Sequence, residues 1–267
     1  MTAIQNGKVC IYGAGGPVGA VAADSLRHDY TLRLTDLLAF DELSVRPHSP
    51  SPPRLESPHE WHQVDITDYQ QVLQAAQGMD ALVNVSVLRH DLVPAFNVNM
   101  IGAYNVMKAA VECGISRVIH TGPRHAALGY EGDYWYDFGI SDDAPLHPGT
   151  DLYALTKYLG GHIVRVFAEE HGIEVITFLY CHFRQADGGP VADGSGIHPF
   201  STSWEDTGEA FRYGLRAPAP PNLYEVFDIT ASMPQGKFSN QKAQRLLGWT
   251  PKHDFKRLYR HPGGGSP

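Results

Sequence analysis

The sequence predicts an α/β protein in which a doubly wound parallel sheet carries helices on both faces. Short apolar runs alternate with longer helix-forming segments from residue 8 to residue 180, as expected when strands and helices take turns along the chain. The first run, Lys8–Tyr12, leads directly into a glycine-rich turn. The run Ala81–Val87 is almost continuously apolar, which is typical of a strand buried on both faces of a parallel sheet. These observations together predict right-handed β-α-β units.

The expected strands are short runs rich in β-branched and other apolar residues. In chain order they are Lys8–Tyr12, Thr31–Thr35, Trp61–Val64, Ala81–Val87, Arg117–Thr121 and Glu174–Tyr180. The expected helices are Pro17–Leu26, Asp68–Ala76, Asp91–Cys113 and Leu152–Glu170. Thr67 or Asp68 is expected to cap the second helix, and Gly114 and Gly172 are expected to end the two long ones.

Two regions have a different composition. The segment Ser44–His59 is rich in Pro and Ser, so it is expected to be a solvated connecting loop. After residue 181 the chain becomes richer in Gly and Pro, and we expect a helix at Trp204–Leu215, a strand at Tyr224–Ile229 and a short helix at Ser239–Leu247. Residues 1–180 are therefore expected to form the core. Residues 181–267 are expected to form a small substrate-side lobe and tail within the same compact unit.

The composition argues against several classes of function. The net charge is −8 and no run of Lys or Arg stands out, so nucleic acid is a poor partner, because phosphate binding needs a concentrated basic face. Cys10, Cys113 and Cys181 are far apart, which predicts neither a disulfide framework nor a metal site. The sequence shows no signal peptide and no apolar run of about 18 residues. We therefore expect a cytoplasmic protein without a membrane span.

The glycine-rich turn Gly13–Gly19 is the first candidate binding element. It lies between a strand and a helix, where glycines let backbone N–H groups approach a pyrophosphate and the helix N-terminus stabilises the negative charge. Asp36 ends the second strand, where a carboxylate accepts hydrogen bonds from ribose hydroxyls and repels a 2′-phosphate. No Arg or Lys follows it until Arg46. The pattern therefore predicts NAD rather than NADP as the cofactor.

Tyr153 and Lys157 form the candidate catalytic pair. They stand four residues apart, so both side chains lie on one face of a helix. A nearby Lys⁺ and an oxidised nicotinamide both favour the phenolate, which lowers the pKa of the Tyr from its reference value of about 10. The pair can then exchange a proton with a substrate hydroxyl while a hydride passes to the nicotinamide. This spacing also occurs on solvated helix faces, but the preceding turn and Asp36 favour the catalytic interpretation.

These residues, with Asp65-Ile66, Asn99 and the closing LLGWTP, resemble the extended short-chain dehydrogenase/reductase superfamily over about residues 8 to 255. The chain length is similar to that of the uronate dehydrogenases, which oxidise hexuronic acids to lactones with NAD. The resemblance implies a Rossmann fold and a homodimer formed by the helices Asp91–Cys113 and Leu152–Glu170. It implies cofactor contacts from Gly13, Gly16, Pro17, Val18, Gly19, Asp36, Asp65, Ile66, Val85, Asn99, Tyr153 and Lys157.

The strand that ends at Thr121 departs from the superfamily pattern. Relatives carry a Ser or Thr pair after this strand, and here Gly122 and Pro123 stand in its place. Thr121 is the nearest hydroxyl, so it joins Tyr153 and Lys157 as a candidate catalytic residue. The candidate substrate contacts lie on the loops after strands five and six, and charged residues of a solvated loop are the equally simple alternative. They are Arg124, His125 and Arg184.

We therefore expect an NAD-dependent oxidoreductase that acts on a sugar or a sugar acid. A sugar epimerase or dehydratase that keeps its NAD bound is the first alternative, and net formation of NADH separates the two. A redox-silent NAD-binding protein is the second alternative. The missing Ser supports it, whereas the Tyr153 and Lys157 pair argues against it. The expected partners are a small carbohydrate substrate and a second copy of the chain.

Overall fold

A parallel sheet of seven strands forms the centre of the molecule in the computed structural model, which describes residues 3–124, 136–187, 197–234 and 236–255. The strands of this sheet, in chain order, are β1 (Lys8–Tyr12), β2 (Thr31–Asp36), β3 (Glu60–Gln63), β4 (Ala81–Asn84), β5 (Arg117–Pro123), β6 (Glu174–Tyr180) and β9 (Tyr224–Asp228). Their spatial order is β3-β2-β1-β4-β5-β6-β9. The order reverses between β1 and β4, and ligands of such sheets bind at the carboxyl ends of the strands beside that reversal. The predicted fold class is confirmed.

Helices cover both faces of the sheet, and β1 shows why. Its alternate residues Val9 and Ile11 pack into one apolar cluster, and Cys10 and Tyr12 pack into the other, because successive strand side chains point to opposite faces. The helices on the first face are α1 (Pro17–Leu26) and α6 (Trp204–Arg216), which pack on each other. Those on the second face are α2 (Tyr69–Ala76), α4 (Gly102–Glu112) and α5 (Leu152–His171).

The long helix predicted at Asp91–Cys113 consists of three consecutive segments. The first is α3 (Leu92–Phe96), the second is a π-helical turn at Asn97–Ile101, and the third is α4. The π turn lies directly against α5, where a Cβ atom added to Gly160 would meet the Asn99 carbonyl oxygen at 2.4 Å. The glycine is therefore needed for the close approach of the two helices. This contact fixes α5, the helix of Tyr153 and Lys157, at the end of β4.

Local signals set the ends of the helices as the sequence indicates. Of the two candidate caps of α2, Asp68 is the one whose carboxylate accepts hydrogen bonds, from the N–H groups of Gln70 and Gln71. Asp151 caps α5 by accepting from the Tyr153 N–H group. The same helix ends at Gly172, whose φ of 69° is left-handed. Glycine adopts this conformation at little cost because it has no Cβ atom.

The chain after residue 181 is divided between the core and the rest of the molecule. Its strand β9 forms one edge of the main sheet, and its helix α6 packs on α1. Two short strands that the sequence did not predict, β7 (His182–Arg184) and β8 (Ser201–Ser203), form a separate parallel pair. A last helix, α7 (Gln241–Leu247), packs against β9 and α6. The small lobe expected after residue 181 can therefore consist only of the parts of that segment outside β9, α6 and α7.

None of the helices in the described part of the chain is both long enough and apolar enough to span a membrane.

Candidate functional site

The glycine-rich turn is shaped by contacts that leave no room for side chains. Gly13 has a φ of +86°, and a Cβ added to it would lie 2.9 Å from the Ser86 backbone nitrogen. A Cβ at Gly19 would lie 2.3 Å from the Gly13 carbonyl oxygen, so this glycine lets α1 pack on the turn. No side chain caps the start of α1, where Pro17 is the first residue. The first N–H groups of α1 can therefore bind an anion.

Asp36 lies beside this turn at the end of β2. Its Oδ2 atom accepts a hydrogen bond of 2.9 Å from the Gly15 N–H group, and its Oδ1 atom accepts a longer one, 3.4 Å, from the Leu38 N–H group. A Cβ on Gly15 would lie 2.6 Å from Leu43 Cδ2 and 2.9 Å from Oδ2, so a larger residue here would displace these two side chains. The two hydrogen bonds hold the carboxylate in a fixed position at the edge of the turn.

A cleft of about 1580 Å³ extends from the turn along the carboxyl ends of β1, β2 and β4. Many of the predicted cofactor residues line it: Gly13, Gly16, Pro17, Asp36, Asp65, Ile66 and Val85. Arg46, which the sequence places in the Pro-rich loop, also lines this cleft. The structure therefore brings a cation into the same cleft as Asp36, which the spacing of the two residues along the chain did not indicate.

Asn99 is predicted to contact the cofactor, but the structure gives its side chain another role. The residue is 1% exposed, and its amide group bonds the backbone of Leu88 through both its N–H and its oxygen. The same amide donates to the Thr156 hydroxyl at 2.9 Å. Asn99 thus connects the segment after β4 to α5. It positions the site and does not line the cleft.

Tyr153, Lys157 and Thr121 meet at a second cavity of about 520 Å³, next to the cleft. Val18 and Val85 line it as well. Lys157 is buried, and its Nζ atom donates a long hydrogen bond, 3.4 Å, to the Ser86 carbonyl oxygen. Burial, together with the charge of Arg89, lowers the pKa of Lys157 to about 7. This ammonium group can therefore lose and regain a proton near neutral pH.

Arg89 is the main charged neighbour of Tyr153, and sequence reasoning missed it. Its guanidinium carbon lies 5.3 Å from the centroid of the Tyr153 ring, and Arg89 lines the same cavity. Burial raises the pKa of Tyr153, and the charge of Arg89 opposes that rise. The sequence expectation assigned this electrostatic effect to Lys157. No motif singles out Arg89, although its position after β4, at the carboxyl edge of the sheet, is where such residues gather.

The hydroxyl of Thr121 is engaged within the protein. Thr121 is buried, and its Oγ1 atom donates to the Asn84 carbonyl oxygen at 3.1 Å. Its proton is therefore directed at the backbone of β4. Gly122 and Pro123, which replace the expected hydroxyl residues, line the cavity directly. Among the described residues that line the cavity, Arg89 and Lys157 are the ones with basic side chains.

The structure corrects the expectation that Arg124 faces the substrate. Its side chain is fully buried and pairs with Asp228, at 3.2 Å between Nη1 and Oδ1. Its Nη2 atom donates to the Ser141 carbonyl oxygen, so Arg124 joins the ends of β5 and β9. Arg184 lies on β7 and lines neither cavity. His125, the other predicted substrate contact, lies outside the described residues.

Comparison with known proteins shows the family to which this chain belongs. Residues 9–184, well over half of the chain, match the NAD dependent epimerase/dehydratase family. The chain belongs to that family. It is an NAD-dependent oxidoreductase of the short-chain dehydrogenase/reductase type, and the predictions of family and cofactor are confirmed.

Several similar proteins have names that specify a sugar or a sugar acid. The NAD-dependent glucose-6-phosphate dehydrogenase of Haloferax volcanii is 23% identical over 255 residues, which are 91% of this chain and 92% of the relative. The structure of uronate dehydrogenase from Agrobacterium tumefaciens has a TM-score of 0.75 at 22% identity, over 96% of this chain and 91% of that one. The UDP-glucuronic acid 4-epimerase of Bacillus cereus has a TM-score of 0.70 at 16% identity, covering 94% of each chain.

The residues of the cleft fit the NAD that the family uses. A pyrophosphate needs close approach to backbone N–H groups, and the turn at Gly13 and Gly16 lacks the side chains that would prevent it. A ribose needs a hydrogen-bond acceptor, which Asp36 supplies at the edge of the same cleft. Tyr153 and Lys157 lie at the neighbouring cavity, where the nicotinamide end of the cofactor would reach.

A group of three possible metal ligands lies near the site. The ligand atoms of Cys181, His182 and His198 all lie within 4.8 Å of one another. The Nδ1 atom of His198 accepts a hydrogen bond from the Phe200 N–H group, which leaves the proton of the neutral ring on Nε2. Metal-binding histidines normally donate through the second nitrogen. The sequence predicts no metal, and this hydrogen bond does not favour one here.

Proposed function

We propose that this protein oxidises a hydroxyl group of an anionic sugar, a sugar acid or a sugar phosphate, with NAD. The observation that carries the proposal is the charge of the cavity at Tyr153. Among its described lining residues, Arg89 is cationic, and Lys157 adds a second positive charge when it is protonated. A cavity lined by charge of one sign attracts ligands of the opposite sign. Arginine is also well suited to bind a carboxylate or a phosphate through two hydrogen bonds.

The proposed chemistry assigns a proton transfer to Tyr153. NAD supplies the hydride acceptor when it is bound. The Tyr153 phenolate takes the proton of the substrate hydroxyl at its Oη atom. Arg89 favours the phenolate because its positive charge lies over the ring. The Tyr153 oxygen and the Arg89 guanidinium would together hold the reacting oxygen, because Thr121 donates its own proton to Asn84.

Two relatives support a substrate with a negative charge. One of the similar proteins is named for glucose 6-phosphate and another for a uronate. Both kinds of molecule are sugars that carry an anionic group. The epimerase among the similar structures supports the alternative, in which NAD stays bound and is reduced only transiently. That alternative predicts conversion of the sugar without accumulation of NADH.

A matched substrate panel tests the proposal. The purified protein is incubated with NAD and uronic acids, aldose 6-phosphates or the corresponding neutral aldoses, and NADH absorbance is followed. We expect NADH to accumulate with an anionic sugar and kcat/KM to exceed that of its neutral counterpart. Equal kcat/KM for the neutral aldose would refute the charge argument. Sugar conversion without net NADH would establish the epimerase alternative.

The Arg89→Met variant separates charge recognition from general damage to the site. We expect it to raise KM for the anionic sugar by about 10- to 150-fold, since a hydrogen bond to a charged group contributes about 1.5–3 kcal/mol. KM for a neutral aldose should change little. Val87→Ala, at an exposed neighbour that lines the same cavity, is the control. A similar rise in KM for charged and neutral sugars would show that Arg89 does not recognise the anion.

A further inference from the structure

A third cavity, here called the rear cavity, lies between α5 and the strands β5, β6 and β9. Its volume is about 530 Å³. Lys157, Gly122 and Pro123 line both this cavity and the catalytic cavity at Tyr153. None of the described residues that line the cofactor cleft lines the rear cavity. The rear cavity is therefore a separate space that shares one wall with the catalytic cavity.

One face of α5 forms the long wall of the rear cavity. The residues of this face are Lys157, Tyr158, Gly161, His162 and Arg165, whose spacing places their side chains on the same side of the helix. Lys157 is buried and Arg165 is exposed. These two residues are eight positions apart, so about 12 Å separate them along the helix axis. The cavity thus extends from the catalytic lysine to the surface.

Gly161 keeps the middle of this wall open. The nearest atom to a Cβ added at Gly161 is the Tyr224 hydroxyl oxygen of β9, at 3.4 Å, so an alanine fits there with little movement. Gly160 differs, because it is needed where α5 meets the π-helical turn. Glycine in the interior of a helix is less favourable than alanine. The space beside Gly161 is therefore what this residue preserves.

The rear cavity combines apolar sides with a basic group at each end. Lys157 lies at the inner end and Arg165 at the mouth, and none of the described lining residues is acidic. Arg165 also pairs with Glu169 at 3.0 Å, and its side chain is 52% exposed. Positive charge and apolar surface together favour an anion with an apolar body. The apolar sides are formed by Pro123, Leu146, Leu179, Val226 and the rings of Tyr158 and Tyr224.

His120 adds a polar group to the inner part of the cavity. It lies on β5, is 2% exposed, and neither ring nitrogen has a hydrogen-bond partner among the described residues. Burial lowers the pKa of His120 well below its usual range, and the charge of Lys157 lowers it further. The ring is therefore neutral at physiological pH, with one nitrogen that donates and one that accepts. A ligand hydroxyl at this end can satisfy it, which removes the penalty of an unpaired buried group.

We propose that the rear cavity binds a small aromatic carboxylic acid with a hydroxyl opposite the carboxylate, and that this ligand weakens the binding of the anionic sugar. The carboxylate would lie at the hydrated mouth beside Arg165, with the ring between Tyr158 and Tyr224. The hydroxyl would bond His120. The binding is independent of the proposed oxidation, whereas the effect on the sugar rests on it.

The effect on the sugar follows from the wall that the two cavities share. An aromatic ring beside Lys157 removes water from its ammonium group, which favours the neutral amine. Burial, together with the charge of Arg89, already lowers the pKa of Lys157 to about 7, so a small further change decides its charge at neutral pH. The catalytic cavity then attracts an anionic sugar less strongly.

Titration calorimetry with para-hydroxybenzoate tests the site in the protein without cofactor or sugar. We expect one molecule to bind per chain, and benzoate to bind about two- to tenfold more weakly because it lacks the hydroxyl. His120→Leu should remove this difference. Gly161→Met, which fills the cavity, should abolish binding. Arg165→Met should weaken binding about two- to fivefold, as for an ion pair with an exposed partner. Arg245→Met, at an exposed position of α7 outside all three cavities, is the control.

The variants also distinguish the rear cavity from the catalytic cavity, where an anion can bind Arg89. Binding that persists in Gly161→Met and is lost in Arg89→Met would overturn the rear site, and so would the absence of binding to the wild type.

Kinetics with an anionic sugar that is a substrate test the effect on the catalytic cavity. Para-hydroxybenzoate should raise KM by about fivefold or more to a plateau, because coupling between two separate sites is finite. A rise without limit would show competition for one site and overturn the proposal, and an unchanged KM would overturn the effect on the sugar. If the wild type forms no NADH with any sugar, the proposed oxidation is refuted, while the calorimetry still decides the rear site.

Discussion

Replacement of Asp36 should reverse the preference between NAD and NADP, because two opposing groups meet at one cleft. The Asp36 carboxylate is expected to accept hydrogen bonds from the ribose, and it already holds the Gly15 N–H group at 2.9 Å. Arg46 lines the same cleft. In Asp36→Ser the negative charge of this side chain is absent and the Gly15 N–H group is released. Arg46 is then the cation among the described residues of the cleft that could attract a 2′-phosphate.

The size of the effect follows from the bonds that are lost. Hydrogen bonds to a charged acceptor contribute about 1.5–3 kcal/mol, which corresponds to an increase of about 10- to 150-fold in the Kd of NAD. NADP should bind more tightly than to the wild-type protein, because its 2′-phosphate no longer meets a carboxylate. Titration calorimetry with both cofactors measures the two Kd values.

Two further variants separate the effect of the Asp36 charge from that of its hydrogen bond and from that of Arg46. Asp36→Asn keeps a hydrogen-bond acceptor for Gly15 and removes only the charge, so it should relieve the repulsion of NADP with a smaller loss of NAD affinity. The double variant Asp36→Ser, Arg46→Ala should lose the gain in NADP affinity. An unchanged ratio of the two Kd values in Asp36→Ser would show that this carboxylate does not face the ribose. A gain that survives the loss of Arg46 would refute the role of that cation.

Three other predictions concern Tyr153, Arg89 and the surface of α5. Tyr153→Phe should lower kcat by ~10²–10⁴-fold without weakening NAD binding by calorimetry, and full turnover would exclude the proposed proton transfer. Since burial raises the pKa of Tyr153 and oxidation needs the phenolate, kcat/KM should increase with pH. Arg89→Met should move that increase to higher pH, because the charge of Arg89 lowers the pKa of Tyr153. If the pH dependence of kcat/KM is the same in Arg89→Met as in the wild type, the role of the cation is contradicted. Val166, which is 62% exposed on α5, should lie in a dimer interface, so light scattering should show a dimer that Val166→Glu dissociates and Val45→Glu does not. A monomeric wild-type protein would refute this interface.

The sequence predicts most of the fold because local patterns determine it. The strand Glu174–Tyr180 is observed with its predicted ends, since a continuous apolar run between turns has no better structure than a buried strand. The strands β7 and β8 were missed because no local pattern marks them. Each is three residues long, and each pairs only with the other, across a long stretch of chain. No periodicity is visible in so short a segment.

The site is less predictable because three-dimensional contacts decide which side chains face it. The glycine turn and Asp36 could be assigned from their place between a strand and a helix. Arg124 could not be, because a fully buried arginine looks like any loop arginine in the sequence until Asp228 is seen beside it. Arg89 was missed for a related reason. Arg89 and Tyr153 are far apart along the chain, so the sequence does not show that the guanidinium carbon lies only 5.3 Å from the centroid of the ring.

The packing of α6 on α1 has a consequence for synthesis of the protein on the ribosome. A Cβ atom on Gly208 of α6 would lie 2.6 Å from the carbonyl oxygen of Val21 in α1, so the two helices are in close contact although more than half of the chain separates them. The side of α1 that packs on the sheet meets β1 and β2 early in synthesis, but the side that packs on α6 has no helix to cover it until residues 204–216 have been made. Such transiently uncovered surface favours aggregation, so the nascent chain is most exposed to it before α6 leaves the ribosome.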